Sequence, residues 1–370
     1  MVSEKILSIC IPTYNRAKAL DRLLGNLELE IKGISELLEI CVSDNGSNDD
    51  TSRVLDRWEK KLPLARRKNE KNMGYDLNAL EVTKMGSGMF LWHVGDDDLV
   101  VEGSVRRLVN DLISLEDKEI GVVYLNANLR NRWVVHFDFN KFGIFPRERI
   151  PAPLNISFGG SICLNRDSVR KVIEKITIKD GRLWKTNFGA PAFNDFVHTY
   201  LFMECLAESG KIGIEPFSGI RILADGGRIS YRKKLYLELI LVKYVLEMKK
   251  RYPWFKEAEL TVDSPLRVIG RTFIDSGLAL EDPSLEYLFQ AYLKTISKIM
   301  VLEKRGFELA VISVMAWKRS IPVLKQLMLW SFLAMKLVLN LPFDKRSESN
   351  PVLQMNEEFA LKSLPDLLLL

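Results

Sequence analysis

Histidine is scarce. Only three occur in 370 residues, at positions 93, 136 and 198, far apart and without an HExxH, so no zinc triad is recognisable. Cysteine is nearly as scarce. Cys10, Cys41, Cys163 and Cys205 are scattered, none forms a CxxC pair, and three lie in strongly apolar stretches. That excludes a disulfide framework and implies buried thiols in a reducing compartment, which reads as cytoplasmic. GxGxxG and GxxxxGK[ST] are missing after the first apolar run, which disfavours a dinucleotide site or a P-loop. No run reaches about 18 uninterrupted apolar residues. The nearest approach, 323 to 342, is broken by Lys325 and Lys336. The first residues lack the apolar core and cleavage site of a signal peptide. The net charge of +5 is mild, and no basic stripe with interleaved aromatics suggests nucleic acid as a partner.

What is present is an alternation. "KILSICIP" reads as a strand, "RAKALDRLLGNLELE" as a helix, "LLEICVSD" as a strand and "DDTSRVLDRWEKK" as a helix. Asn48 is placed to cap that second helix, with Asp49 and Asp50 in its first turn as the dipole prefers. "LARRKN" reads as a third strand, "YDLNALEVTKM" as a short helix and "MFLWHV" as a fourth strand. Strand-helix alternation with short connections predicts an α/β fold on a mostly parallel sheet. From 101 to 228 the pattern loosens. "VEGSVRRLVNDLISLED" reads as helical, "EIGVVYLNAN" and "RNRWVVHFDF" as strands, 140 to 160 as a long loop, and "FNDFVHTYLFMECLAESG" as a helix with a Gly stop. From 229 to 370 the segments look helical, with Lys and Arg between apolar faces.

In parallel sheets ligands bind beyond the carboxyl ends of strands. The chemically dense stretches sit at those ends. "GDDD" ends the fourth strand with Asp96, Asp97 and Asp98 side by side. Neighbouring carboxylates repel and raise at least one pKa, a cost that a divalent cation removes. Mg2+ and Mn2+ take oxygen ligands, commonly one or two carboxylates plus substrate phosphates. An acidic turn without metal is the plain alternative. "SDNGS" places Asp44 and Asn45 after the second strand, where Asp44 can accept hydrogen bonds from a base or ribose. Turn and cap chemistry is the competing reading. "IPTYNR" brings Pro12, Thr13, Tyr14, Asn15 and Arg16 to the first strand end. Tyr14 can lie against a base and Arg16 can approach a phosphate, while Asn15 can instead cap the next helix. "NEKNMGYDLN" sets Gly74 before a helix start, with Asp76 and Asn78 in its first turn.

Taken in order and at these spacings, "SICIPTYNRAKAL", "EICVSDNGSNDDT", "NMGYDLNAL" and "GMFLWHVGDDDLV" resemble family-2 glycosyltransferases of the GT-A fold. The "NMGYDLN" and "LWHVGDDD" forms resemble the abequosyltransferase-like branch, which acts in bacterial surface polysaccharide assembly such as that of O-antigen. The resemblance is strong over 5 to 105, weak over 106 to 228 and absent beyond. It implies a glycosyltransferase domain over 1–228, with a nucleotide-sugar-binding half (1–105) and an acceptor-binding half (106–228); the residue pattern alone adds a separate helical region over 229–370.

Carried onto this sequence, the family pattern puts base and ribose against Pro12, Thr13, Tyr14, Arg16 and Asp44, and cation and diphosphate against the acidic motif. That motif is usually Asp-x-Asp-Asp. Aligned on its last two acids, its first position here is Gly95; read as Asp-x-Asp, the pair is Asp96 and Asp98. Asp97 is the leading ligand in the first alignment and Asp98 in the second. The resemblance also implies inversion at the anomeric carbon with a carboxylate base. Asp195 in "APAFNDFVHTYLFM" fits, with Asn194 where relatives have Glu. His198, three residues on, could orient that acid or approach the metal, or be an ordinary buried histidine. The expected partners are a nucleotide-diphosphate sugar and a glycan or lipid-linked saccharide acceptor.

Two rival functions share the expected nucleotide-binding architecture. A nucleotidyltransferase of similar architecture would carry a Gly-rich, Arg-containing loop after strand one, which "PTYNR" is not. A non-catalytic nucleotide-binding assembly protein would not need the acid cluster. In the final third, basic residues stand beside aromatics, as in "EMKKRYPWFKE" and around Trp317 and Trp330. Such segments suit peripheral contact with the inner face of the cell membrane, or packing in a homodimer or on the first domain.

Overall fold

The computed structural model describes residues 5–115, 119–129, 132–133, 135–151, 154, 159–179, 182–185 and 197–223, with Tyr252 and Trp254. These belong to the first of two compact units, which comprises residues 1–226 and 252–260. The helical region expected over 229–370 lies outside the described residues, apart from Tyr252 and Trp254.

The first half alternates strictly: β1 (Leu7–Thr13), α1 (Ala17–Glu30), β2 (Leu38–Asp44), α2 (Thr51–Trp58), β3 (Leu64–Lys68), α3 (Tyr75–Met85) and β4 (Phe90–His93). A two-residue β5 (Leu99–Val100) and α4 (Ser104–Ile113) follow. Then come β6 (Val122–Leu129), β7 (Arg132–Trp133), β8 (Gly143–Pro146), β9 (Ile162–Asn165) and α5 (Arg166–Glu174). A small hairpin of β10 (Thr177–Lys179) and β11 (Arg182–Lys185) precedes α6 (Val197–Ser209) and the long β12 (Lys211–Ile222).

Among the described residues the main sheet runs β3-β2-β1-β4-β9-β6-β12-β5. Pairs β1–β2, β2–β3 and β1–β4 are parallel. Beyond β4 the sheet is mixed: β9 is antiparallel to β4 and β6, while β12 is parallel to β6. The expected parallel alternation therefore holds for the first half and gives way to a mixed second half. Central strands buried on both faces read as near-continuous apolar runs. Leu7, Ile9, Ile11, Leu38, Ile40, Val42 and Trp92 are fully buried. Edge strand β3, "LARRK", is mostly exposed and carries the charges that discourage edge-to-edge association.

The helices bury one stripe each. Leu20, Leu23, Leu24 and Leu27 of α1 recur at helical spacing and lie in the same core as Val105, Leu108, Val109 and Leu112 of α4. Successive crossovers run from β1 out to β3, then return to β4 on the other side of β1. The sheet direction thus reverses at β1, and the crevice beyond the ends of β1 and β4 is the expected ligand position.

Several expectations change. "RNRWVVHFDF" forms only the short β7, because Asn126 takes the place of a strand neighbour. Its side chain accepts from the Val135 N–H (3.1 Å) and donates to the Val135 carbonyl (2.8 Å). The expected loop over 140 to 160 contains β8, antiparallel to the first half of β12. Helix α5 matches no element expected from the sequence, although Asn165 caps it well, accepting from the Asp167 and Ser168 N–H groups. Register along β12 shifts between Glu215 and Ser218, where Phe217 N–H donates back to Glu215 (2.9 Å). Tyr252 donates to Glu204 of α6 (2.7 Å), so this segment returns to the first unit. Among the described residues no helix is long and apolar enough to cross a membrane. All four cysteines are free and buried.

Candidate functional site

The loops leaving β1 and β2 are laced together before they reach any ligand. Asn15 takes a left-handed φ of 51°, tolerable for a short polar side chain. Its N–H donates to Ser47 Oγ (2.8 Å), and its side-chain oxygen accepts from the Asn48 N–H (2.9 Å). Asp49 accepts from the Ala17 N–H with one oxygen and the Thr51 N–H with the other, both at 3.0 Å. One carboxylate therefore serves the first turns of α1 and α2, and neither Asn15 nor Asn48 acts as the cap expected of it. Burial acts to raise the Asp49 pKa, but the bonds from Thr51 and Ala17 outweigh it and leave it lowered.

This lacing fixes the backbone on either side of Arg16, whose side chain reaches the acidic motif. Arg16 Nη1 donates to Asp96 Oδ1 (3.0 Å) and Asp97 Oδ2 (2.7 Å). Thr13, the last residue of β1, donates its hydroxyl to Asp96 Oδ2 (2.7 Å). Both oxygens of buried Asp96 are thus engaged within the protein. Burial pushes its pKa up to about 6, with the Asp97 charge adding to the rise and Arg16 and Thr13 opposing it. Burial and the charges of Asp97 and Asp96 raise Asp98 to about 7, against an N–H from Leu223 at the end of β12. Three carboxylates therefore crowd one guanidinium, and burial with their mutual repulsion holds Asp96 and Asp98 above the ordinary carboxylate range. Gly95 has a steric reason: a Cβ there would stand 3.0 Å from Asp98 Oδ2 and 3.2 Å from Asp97 Oδ1.

At the end of β2, Asp44 is 1% exposed. One of its oxygens accepts from the Ser47 N–H (2.8 Å). The other, Oδ2, is buried with no hydrogen-bond partner, and Lys68 Nζ lies 3.6 Å away. A buried acceptor without a donor is costly unless a ligand completes it. Asn45 is fully used: it donates to Asn72 and to the Gly74 carbonyl, and accepts from Asn69 and the Met73 N–H. Asn78 accepts from Ser43 Oγ and Asn69 and donates to the Ser43 and Thr13 carbonyls. These amides fasten α3 to the strand ends. Gly74 sits at φ 85°, ψ 166°, which favours glycine, and begins α3. Pro12 and Tyr14 are half-buried beside them.

Asp76 and His198 meet elsewhere, at the junction of α3 and α6. Asp76 accepts from the Val197 N–H (3.1 Å), and Tyr75 Oη lies 3.1 Å from His198 Nδ1. The structure thus gathers Thr13, Arg16, Asp96, Asp97 and Asp98 into one cluster. Asp44, Asn45, Gly74 and Asn78 form a second, joined to it through the Thr13 carbonyl. Asp195 lies outside the described residues. Sequence reasoning missed Ser47, Asp49, Asn69 and Asn72. The crowding of Asn over "NEKNMGYDLN" was the available signal for the last two.

Among the described residues no group of three or more His, Cys, Asp or Glu side chains is arranged to hold a metal ion. Two carboxylates nevertheless suit Mg2+ or Mn2+ when substrate phosphates complete the shell. Asp96, engaged on both oxygens, has the least to offer such a cation.

Comparison with known proteins fits this geometry. The model for "Glycosyl transferase family 2" matches residues 8–173. The abequosyltransferase of Salmonella typhimurium is 26% identical over 253 residues, covering 66% of this chain and 74% of that protein. A Campylobacter jejuni GalNAc(5)-diNAcBac-PP-undecaprenol β-1,3-glucosyltransferase is 30% identical over 109 residues, 28% of this chain and 33% of its own length. In structure, the S. aureus TarS fragment 1–349 in complex with UDP aligns with a TM-score of 0.52 at 14% identity, covering 80% of this chain and 83% of that one.

Proposed function

We propose that this chain, whose residues 8–173 match the model for glycosyltransferase family 2, moves a sugar from a nucleotide-diphosphate donor to a glycan or lipid-linked saccharide during surface polysaccharide or glycoconjugate assembly. The observation that carries this reading is the set of three carboxylates facing one guanidinium at the ends of β1 and β4, where the sheet order reverses. Such a set has an unmet need for positive charge. By name, one relative is an abequosyltransferase and another a glucosyltransferase acting on a saccharide linked to undecaprenol. A lipid-linked acceptor would bring the enzyme to the inner face of the membrane.

In this reading Asp44 Oδ2 accepts an N–H of the base or a ribose hydroxyl, which completes its missing bond. Tyr14 lies against the base, beside Pro12 and Thr13. Asp97 and Asp98 hold Mg2+ or Mn2+ together with the diphosphate. When bound, the cation offsets negative charge on the departing nucleotide. Asp96, held by Thr13 and Arg16, keeps the β1 and β4 loops in register. Asn45, Gly74 and Asn78 support the donor site from behind through their bonds to the strand ends. Asp76 and His198 set the start of α6, three residues after Asn194 and two after Asp195, the acid proposed to take the acceptor proton in a single inverting displacement.

A thermal-shift series with CDP, UDP and GDP, each with and without Mn2+, tests the donor site. A bound nucleotide stabilises the folded state by an amount set by its concentration over Kd. At least one of the three is expected to raise Tm in the wild type and to lose that effect in Asp44→Ala. No stabilisation by any of them overturns the reading.

A further inference from the structure

We infer that Arg16 is an exchangeable counterion of the acidic motif: its guanidinium holds Asp97 in the place of a divalent cation and yields that carboxylate when metal and diphosphate enter. The inference rests on the sugar-transfer reading above and adds a control on the same site.

One nitrogen does the holding. Nη1 of Arg16 donates to Asp96 (3.0 Å) and to Asp97 (2.7 Å), so two carboxylates close on one cationic atom. The two contacts differ in what else secures them. Asp96 has a second bond, from Thr13, and its side chain is 6% exposed. The Asp97 carboxylate has no other hydrogen-bond partner among the described residues, and its side chain is 25% exposed. Asp97 is thus the releasable partner and Asp96 the permanent one.

The backbone around Arg16 is fixed by the Asn15–Ser47, Asn15–Asn48 and Ala17–Asp49 bonds. The side chain, at 35% exposure, reaches towards solvent. Exchange therefore needs only a change of rotamer. A diphosphate offers the guanidinium anionic oxygens suited to its planar fork. A divalent cation offers Asp97 a stronger partner than one N–H. Both exchanges run in the same direction, so donor and metal enter together, and a cation arriving alone must compete with Arg16.

Mn2+ binding to nucleotide-free full-length protein, read from the electron paramagnetic resonance of free Mn2+, tests this. Arg16→Gln is expected to bind Mn2+ several-fold more tightly than the wild type, a gain that structural damage would not produce. Arg16→Lys keeps a charge but reaches less far to grip both carboxylates, and is expected to fall between the two. It carries the test alone if Arg16→Gln does not fold. Arg22→Gln removes a nearby charge that donates to the Asp97 carbonyl oxygen, and is expected to change affinity less. An Arg16 variant that binds Mn2+ no more tightly than the wild type, or an equal gain in Arg22→Gln, overturns the inference. Asp97→Asn separates the two levels. Mn2+ binding unaffected by that change, or absent from every form even when a nucleoside diphosphate is added, sinks the metal assignment itself.

Discussion

Thr13 and Asp96 stand 83 residues apart in sequence and share a buried hydrogen bond of 2.7 Å. That bond joins the end of β1 to the loop after β4, across the place where the strand order reverses. It places one carboxylate of the acidic motif in the framework and leaves its two neighbours for other work.

Thr13→Val removes the hydroxyl with little change in shape and leaves Asp96 Oδ2 buried without that donor. The expected loss is about 1–3 kcal/mol of stability, read by urea unfolding. Thr13→Ser, which keeps the hydroxyl, is expected to retain most of it.

Asp49 is exposed, yet it serves two helix starts at once. Asp49→Ala is expected to cost about 1–2 kcal/mol, the upper range for one cap. Because the same bonds pin Arg16, the change is also expected to weaken donor binding in the thermal-shift series. Asp49→Asn preserves an acceptor for one helix and is expected to lie between.

Gly46 adopts φ +76°, and a Cβ there would stand 2.8 Å from the Lys71 carbonyl carbon. Gly46→Ala therefore meets both backbone strain and a backbone clash. A loss of at least about 1 kcal/mol is expected, with weaker nucleotide binding because Asp44 lies two residues away.

Glu215 sits at the register shift of β12. Burial raises its pKa to about 7, the Phe217 N–H opposes the rise, and Asp111 adds to it. Asp111 is raised as well, chiefly by burial. A carboxyl group whose folded pKa is raised contributes stability at low pH and loses it as pH climbs through the folded value. Stability is therefore expected to fall between pH 5 and pH 8. Glu215→Gln, which cannot ionise, is expected to flatten that fall in a Tm series across the same range. An unchanged slope in the variant contradicts the assignment.

The first hundred residues were readable because local and global signals agree there. Each strand is an apolar run that the sheet buries on both faces, and each ends in a turn-rich segment. That Thr13, Asp44 and the three aspartates stand at those ends followed from position alone. Division of labour within the cluster did not. Nothing in "GDDD" tells that Asp96 points to Thr13, since that contact spans 83 residues. Asn45 and Asn78 have the composition of ligand-binding residues but spend every polar atom on the framework. The second half was harder because its strands are short, mixed in direction and interrupted by bulges. Strand β12 breaks register twice, and β7 is cut short by an asparagine side chain, features that period-2 alternation does not report.

The most direct measurement is release of nucleoside diphosphate from a panel of CDP-, UDP- and GDP-linked sugars, with a bacterial glycolipid extract as acceptor and Mn2+ present. Wild-type protein is expected to release nucleotide from at least one donor in an acceptor-dependent manner. Asp97→Asn and Asp98→Asn are expected to lose that release by about two or more orders of magnitude while melting like the wild type. Full activity in both variants, or equal activity without metal, would contradict the assignment of these two carboxylates to the transfer.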